Sequence, residues 1–175
     1  MKVTELTPSE YGSFSAGYIG LVSKDTTLIE GFSYGMNYVT DFFLSIPEKK
    51  WNKTYAEGKW TIKEIFQHLI DTERIFQYRC FRISRYDTAP LIGFNQDAYV
   101  EPSQAKHKTM GALVEEFNTV RLSFITLLYS LSDEDLKFVG NVSSFSTSCR
   151  AAAFIVLGHY IWHINIIKER YLKTK

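Results

Sequence analysis

A chain of 175 residues with 45% hydrophobic and 22% charged content is long enough to bury a core as one domain without disulfides, and it reads as soluble and globular. A formal net charge of +1 argues against nucleic acid or an anionic membrane surface as partner. The start, MKVTELTPSEYGSFSAGYIG, has no apolar run after a basic residue, and no stretch approaches eighteen uninterrupted apolar residues. Neither a signal peptide nor a membrane span is expected, and the cytoplasm is the default address.

Four helix-length segments follow in order. The first spans about Ser23 to Ile46, with apolar positions Leu28, Phe32, Tyr38, Val39, Phe42 and Phe43, and stops before Pro47. The second begins at KWTIKEIFQHLIDTERIFQYRCFRISRYD. There Thr61 serves as N-cap and Glu64 completes a capping box, while Ile62, Ile65, Phe66, Leu69, Phe76 and Ile83 keep helical spacing to about Tyr86. Residues 87–108, DTAPLIGFNQDAYVEPSQAKHK, have no clear period. A connection that long inside a compact domain usually serves as a lid or a crossover, and Phe94, Asn95, Asp97 and Tyr99 are its candidates for covering a site.

The third helix spans about Thr109 to Leu131, with Leu113, Phe117, Val120, Phe124, Leu127, Leu128 and Leu131 apolar. FVGNVSSFST is a candidate short hairpin, and the fourth helix runs from about Ser148 to Leu172. The class is therefore all-α, a four-helix bundle with a long connection between helices two and three, in a single domain over 1–175. Cys80 and Cys149 lie far apart with no metal spacing and are expected to be reduced, buried thiols. The 11 tyrosines and 13 phenylalanines exceed what one bundle core needs, which is compatible with a homodimer.

The chemistry concentrates in GHYIWHINIIKERYL. His159 and His163, four apart, share one helical face with Ala152, Val156 and Ile166, the face expected to turn inward. Two buried imidazoles each need a partner, and a shared metal satisfies both. His68 lies in the inward stripe Ile65, His68, Thr72, Ile75, Arg79 of helix two. At 1.5 Å per residue it is about 10 Å into its helix and His159 about 16 Å into its own, so the levels match if the two helices run parallel in an up-and-down bundle. Separately satisfied core histidines are the plain alternative. His107, between two lysines in the connection, is expected to be exposed and not a ligand.

Two familiar metal motifs do not fit. A zincin needs H-E-x-x-H, and Tyr160 stands where the glutamate would be. A di-iron bundle needs several inward Glu-x-x-His pairs, which are lacking.

Around the histidines, Asp71 could accept a free ring N–H or act as a base, or else be a surface carboxylate paired to Arg74 or a lysine. Glu73 lies further round and is expected to be exposed. Arg79 and Arg82 return to the face of His68 about 16–21 Å along the axis, which suggests salt bridges with Glu115, Glu116 or Glu169, with a substrate-carboxylate clamp as the alternative. Trp60, Trp162 and Tyr160 read as packing or pocket wall, Trp162 meeting a neighbouring helix or a second subunit.

GKWTIKEIFQHLIDTERIFQYRCFRISRYD, PLIGFNQDAYV and AAAFIVLGHYIWHINIIKERYL, in that order, resemble the DinB/YfiT-like superfamily of metalloenzymes over most of the chain. The resemblance implies a four-helix bundle of variant topology and a divalent metal, zinc or nickel, on His68, His159 and His163. It also implies chemistry on a small molecule, either hydrolysis or transfer involving a low-molecular-weight thiol. The alternative is a non-catalytic or vestigial metal site in a bundle that serves as a stress-response binding or assembly module.

Overall fold

Thr61, Thr109 and Ser148 each accept a hydrogen bond from the backbone N–H three residues on, at 3.2, 3.1 and 3.0 Å, and a long helix starts at each. Glu64 closes the expected capping box by accepting the Thr61 N–H at 2.7 Å. The computed structural model, which describes residues 1–173, contains seven α-helices among them: α1 (Ala16–Ile19), α2 (Leu28–Leu44), α3 (Ile62–Ile83), α4 (Asp97–Val100), α5 (Met110–Tyr129), α6 (Asp133–Lys137) and α7 (Cys149–Ile166). A π-helical stretch, Ile167–Leu172, prolongs α7. The expected hairpin forms as β1 (Val139–Val142) antiparallel to β2 (Phe145–Ser148), turning at Ser143 and Ser144 with φ of 50° and 72°.

Helix α2 starts at Leu28, later than expected. Thr27 is held in an isolated bridge to Lys2, and the Leu28 N–H goes to the Met1 carbonyl at 3.0 Å, so the segment before it is committed to the N-terminus. The 87–108 connection is less irregular than its sequence suggests. Leu91 adds itself beside β1, exchanging hydrogen bonds with Asn141 and Ser143 at 2.9 Å, and α4 follows.

The four long helices α2, α3, α5 and α7 form the bundle, and their directions correct the parallel arrangement of helices two and four. Cys80 near the end of α3 donates to the carbonyl of Cys149 at the start of α7 (3.1 Å), whereas Tyr171 beyond α7 donates to the carbonyl of Trp60 just before α3 (2.6 Å). These two helices therefore run antiparallel. By contrast α3 and α5 are parallel, since Gln67 meets Glu116 and Gln77 meets Ser123. Two consecutive parallel helices need a connection that returns the length of the bundle, which is what residues 87–108 supply. The levels of His68 and His159 match because one is near the start of its helix and the other in the later half of an opposed one.

Helix α7 is central. Its first twelve residues, Cys149 to Tyr160, are all buried, as Phe32, Phe43, Phe66, Phe117 and Phe124 are on the surrounding helices. Cys149–Leu172 contains no eighteen-residue uninterrupted apolar run, yet by length and composition alone it is long and apolar enough to cross a membrane. Of its most apolar window 72% is already buried against the rest of the chain, as befits the core helix of a bundle. Both cysteines are buried and unbridged.

Candidate metal centre

The antiparallel pairing of α3 and α7 sets His68 opposite His159 and His163, one helical turn apart. The Nε2 atom of His159 lies 3.1 Å from Nε2 of His68 and 3.0 Å from Nε2 of His163, and one ring nitrogen from each of the three falls within a 4.8 Å group. All three residues are 7% exposed. Burial holds each ring well below the ordinary imidazole pKa: His68 near 4, and His163 near 3 with the charge of His68 adding to the effect. His159 is lowered as well, by burial and then by both neighbours.

Neutral imidazoles offer lone pairs, and three of them converge here. Hydrogen bonding alone satisfies the group poorly, because one Nε2 carries either a proton or a lone pair, and that of His159 faces two others. A cation accepting all three lone pairs removes the conflict. With metal–nitrogen distances of about 2.0–2.1 Å, neighbouring ligand nitrogens in a tetrahedral shell stand roughly 3.3 Å apart, so the triad needs only a slight opening to take an ion. The donor set fits a divalent ion with a preference for imidazole nitrogen.

Each ring is backed by an aromatic side chain. Trp60 lies 4.8 Å from His68, Trp162 4.7 Å from His163 and Tyr18 5.4 Å from His159, centroid to centroid. Thr72 brings its hydroxyl 3.5 Å from Nδ1 of His68, one turn further along α3. Trp162 meets Tyr18 of α1 at 6.0 Å, so its neighbour is the N-terminal segment. Tyr160 is buried away from the site, under the guanidinium of Arg121.

Tyr18 and α1 were not legible as site elements in the sequence. Their one signal is Gly158, where a Cβ would fall 1.9 Å from the Tyr18 carbonyl oxygen. Only a glycine lets α1 lie this close to α7, and that approach brings Tyr18 onto His159.

Two cavities adjoin at His159 and Tyr18. The outer, a cleft of about 710 Å³, reaches His163, Trp60, Trp162 and Tyr171, with Asp97 as the only carboxylate on its wall among the described residues. The inner, about 280 Å³, runs between α3, the hairpin and the connection, and is lined by Thr72, Arg79, Phe94 and Thr147. Of the connection residues expected to cover the site, Asp97 reaches the outer cleft and Phe94 the inner cavity. Tyr99 packs 5.5 Å from Phe94, and Asn95 accepts the Asp97 N–H at 3.0 Å.

Several charged residues differ from expectation. Asp71 touches none of the three rings: it accepts from Gln67 at 2.9 Å and from Arg74 at 3.4 Å, beside Glu116, and burial raises its pKa. The paired-carboxylate reading of Asp71 describes these contacts. Glu73 is 1% exposed and takes a bidentate pair from Arg121 at 2.6 and 2.8 Å, because an inward arginine on α5 meets it. Arg82 pairs with Asp87 and Tyr78, not with a distant glutamate. Arg79 makes no salt bridge among the described residues, while Glu116 is taken by Lys108 and Arg74 and Glu169 by Arg170. His107 is exposed, as expected.

Known proteins resemble the chain in the same terms. The model of the DinB superfamily matches residues 35–170. A Bacillus cereus protein is 26% identical over 128 residues, 73% of this chain and 71% of its own. A Bacillus thuringiensis subsp. konkukian protein matches to the same extent, and the names of both class them provisionally as metal-dependent hydrolases. Among solved structures, YfiT from Bacillus subtilis, described as a probable metal-dependent hydrolase with an unusual four-helix bundle topology, superposes with a TM-score of 0.73 over 91% of each chain. At 16% identity that likeness speaks for the fold alone.

Proposed function

The chain belongs to the DinB superfamily, and from that premise we propose that it is a divalent-metal-dependent hydrolase of a small molecule. His68, His159 and His163 would hold the ion, zinc or nickel. One observation carries this reading: three buried imidazoles converge beside a cleft wide enough for a ligand, with Nε2 of His159 3.1 Å from that of His68 and 3.0 Å from that of His163. The names of the Bacillus relatives support the reaction class.

When bound by three histidines with a position left open, such an ion supplies Lewis acidity at neutral pH. The chain's own residues do the rest. Trp60, Trp162 and Tyr18 fix the rings and keep bulk water from their backs, which strengthens every electrostatic contact inside. Thr72 orients His68 through Nδ1. Asp97 is the carboxylate on the cleft wall, while Asp71 is engaged by Gln67 away from the rings.

Hydrolysis of a panel of p-nitrophenyl esters by the untagged chain tests this. Turnover is expected with zinc or nickel bound, to vanish after chelation, to return on re-addition and to be lost in His159→Ala. A rate indifferent to chelation contradicts the assignment. Turnover that requires an added low-molecular-weight thiol contradicts hydrolysis in favour of thiol transfer.

A further inference from the structure

Three arginines of this chain are buried, and two have carboxylate partners. Arg121 holds Glu73, and Arg150 holds Glu10 at 2.6 and 2.7 Å. Arg79 is 7% exposed yet has neither an ion pair nor a side-chain hydrogen bond among the described residues. Burial alone acts on its pKa, pushing it down, with no neighbouring carboxylate to oppose the shift. Its stem is buried, but no side-chain nitrogen is both buried and without a partner among the described residues, so the N–H donors of Arg79 open onto the cavity, where a guest can take them.

The place where Arg79 sits narrows the guest. The Cζ of Arg79 lies over the ring of Phe76 at 4.8 Å and over that of Phe94 at 5.9 Å, so the guanidinium is flanked by two aromatic rings and has no hydrogen-bond partner among the described residues. It opens into the inner cavity, where it is the only charged side chain among the described lining residues. Most of the wall is apolar, led by Phe76, Phe94, Phe145 and Ile155, and its uncharged polar groups include the hydroxyls of Ser15, Thr72, Ser143 and Thr147 and the amide of Gln96. His159 closes one end, so the cavity leads to the imidazole triad.

We propose that the inner cavity is a carboxylate subsite, in which the edge of Arg79 takes the carboxylate of a small, otherwise apolar acid whose body extends toward His159. A single guanidinium edge matches one planar carboxylate in a bidentate pair. A phosphate monoester carries about −1.5 to −2 charge at neutral pH, and its excess would stand uncompensated between phenyl rings. The volume, about 280 Å³, is near the lower end of ligand pockets and suits a compact acid. This subsite deepens the proposed function, on which it rests only for the end of the substrate that reacts.

The test is calorimetric titration of the chelator-stripped 175-residue chain with phenylacetate, phenylacetamide and phenylphosphonate. Phenylacetate is expected to bind about tenfold or more tighter than its amide in wild type. Arg79→Met should abolish that preference while its thermal midpoint stays equal or rises, because the variant removes an unpaired charge and keeps the stem. Arg79→Lys should retain part of the preference. Equal behaviour of acid and amide in wild type, including no binding of either, overturns the subsite, and so does an unchanged preference in Arg79→Met. Tighter binding of phenylphosphonate overturns the carboxylate assignment. No metal is present in the titration, so a chain that failed to hold zinc would leave this result standing, and a chain that held zinc but ignored Arg79 would lose only the subsite.

Discussion

The interior of the bundle holds two polar clusters close together, and they are built to opposite rules. Glu73 and Arg121 neutralise each other through two short hydrogen bonds, with Phe32, Phe117 and Tyr160 packed within 4.7–5.5 Å of the guanidinium. Gly35 makes room for it, since a Cβ there would fall 2.9 Å from Nη1 of Arg121. Nothing from solution is needed. One turn and a little more toward the start of α3, His68, His159 and His163 present three neutral nitrogens to one another with no proton arrangement that suits all of them, beside an open cleft. A saturated cluster holds the helices together, and an unsaturated one awaits a ligand.

Breaking the saturated cluster should cost the most. Arg121→Ala leaves a carboxylate buried without its partner and is expected to destabilise the fold by about 3–5 kcal/mol in denaturant titration. A loss under about 1 kcal/mol would mean the pair is dispensable and the contrast is false.

The unsaturated cluster shows itself through pH. The folded rings of His68 and His163 titrate near 4 and 3, far below an unfolded histidine, so between about pH 6.5 and 4.5 the unfolded chain binds protons that the folded one does not. Stability of the metal-free chain should therefore fall as pH falls across that window, by up to about 1.4 kcal/mol per unit for each ring. Glu10 and Glu116 do not interfere there. Burial works against their charge, but hydrogen bonds led by Arg150 for Glu10 and Lys108 for Glu116 bring both down to about 2, so their contribution is lost only below about pH 4.5. His163→Ala should flatten the slope between pH 6.5 and 4.5.

Zinc sharpens the same contrast. At about a hundred times its Kd it should stabilise wild type by about 2.7 kcal/mol and leave His159→Ala unmoved, as read by thermal unfolding. Gly158→Ala forces a Cβ against the Tyr18 carbonyl and should cost about 1–3 kcal/mol, with loss of the Tyr18 contact on His159 visible in the tyrosine NMR resonances. Asp71→Asn, at a half-buried pair outside the triad, should change stability by less than about 1 kcal/mol and zinc loading not at all.

Much of this was readable in the chain itself. The capping box at Thr61, the start of the last helix near Ser148, the hairpin and the inward face shared by His159 and His163 are local patterns, and the structure contains them all. Helix direction was not readable, because a histidine near a helix start meets one in the later half of an antiparallel partner at the same level as a parallel pairing suggests. Glu73 read as exposed because the arginine that buries it is 48 residues away on another helix. Arg79 read as a salt bridge because sequence lists charges without saying which glutamates are already taken. The site's outer wall depended on α1, whose contact is announced by the single glycine before His159.

Whether one ion sits on those three rings decides what the bundle is for. Zinc K-edge X-ray absorption on the untagged, zinc-loaded and desalted chain measures this most directly: three imidazole nitrogens at about 2.0–2.1 Å are expected, reduced in each of His68→Ala, His159→Ala and His163→Ala. Zinc lost on desalting, or a shell of fewer imidazoles that the three variants leave unchanged, would contradict it.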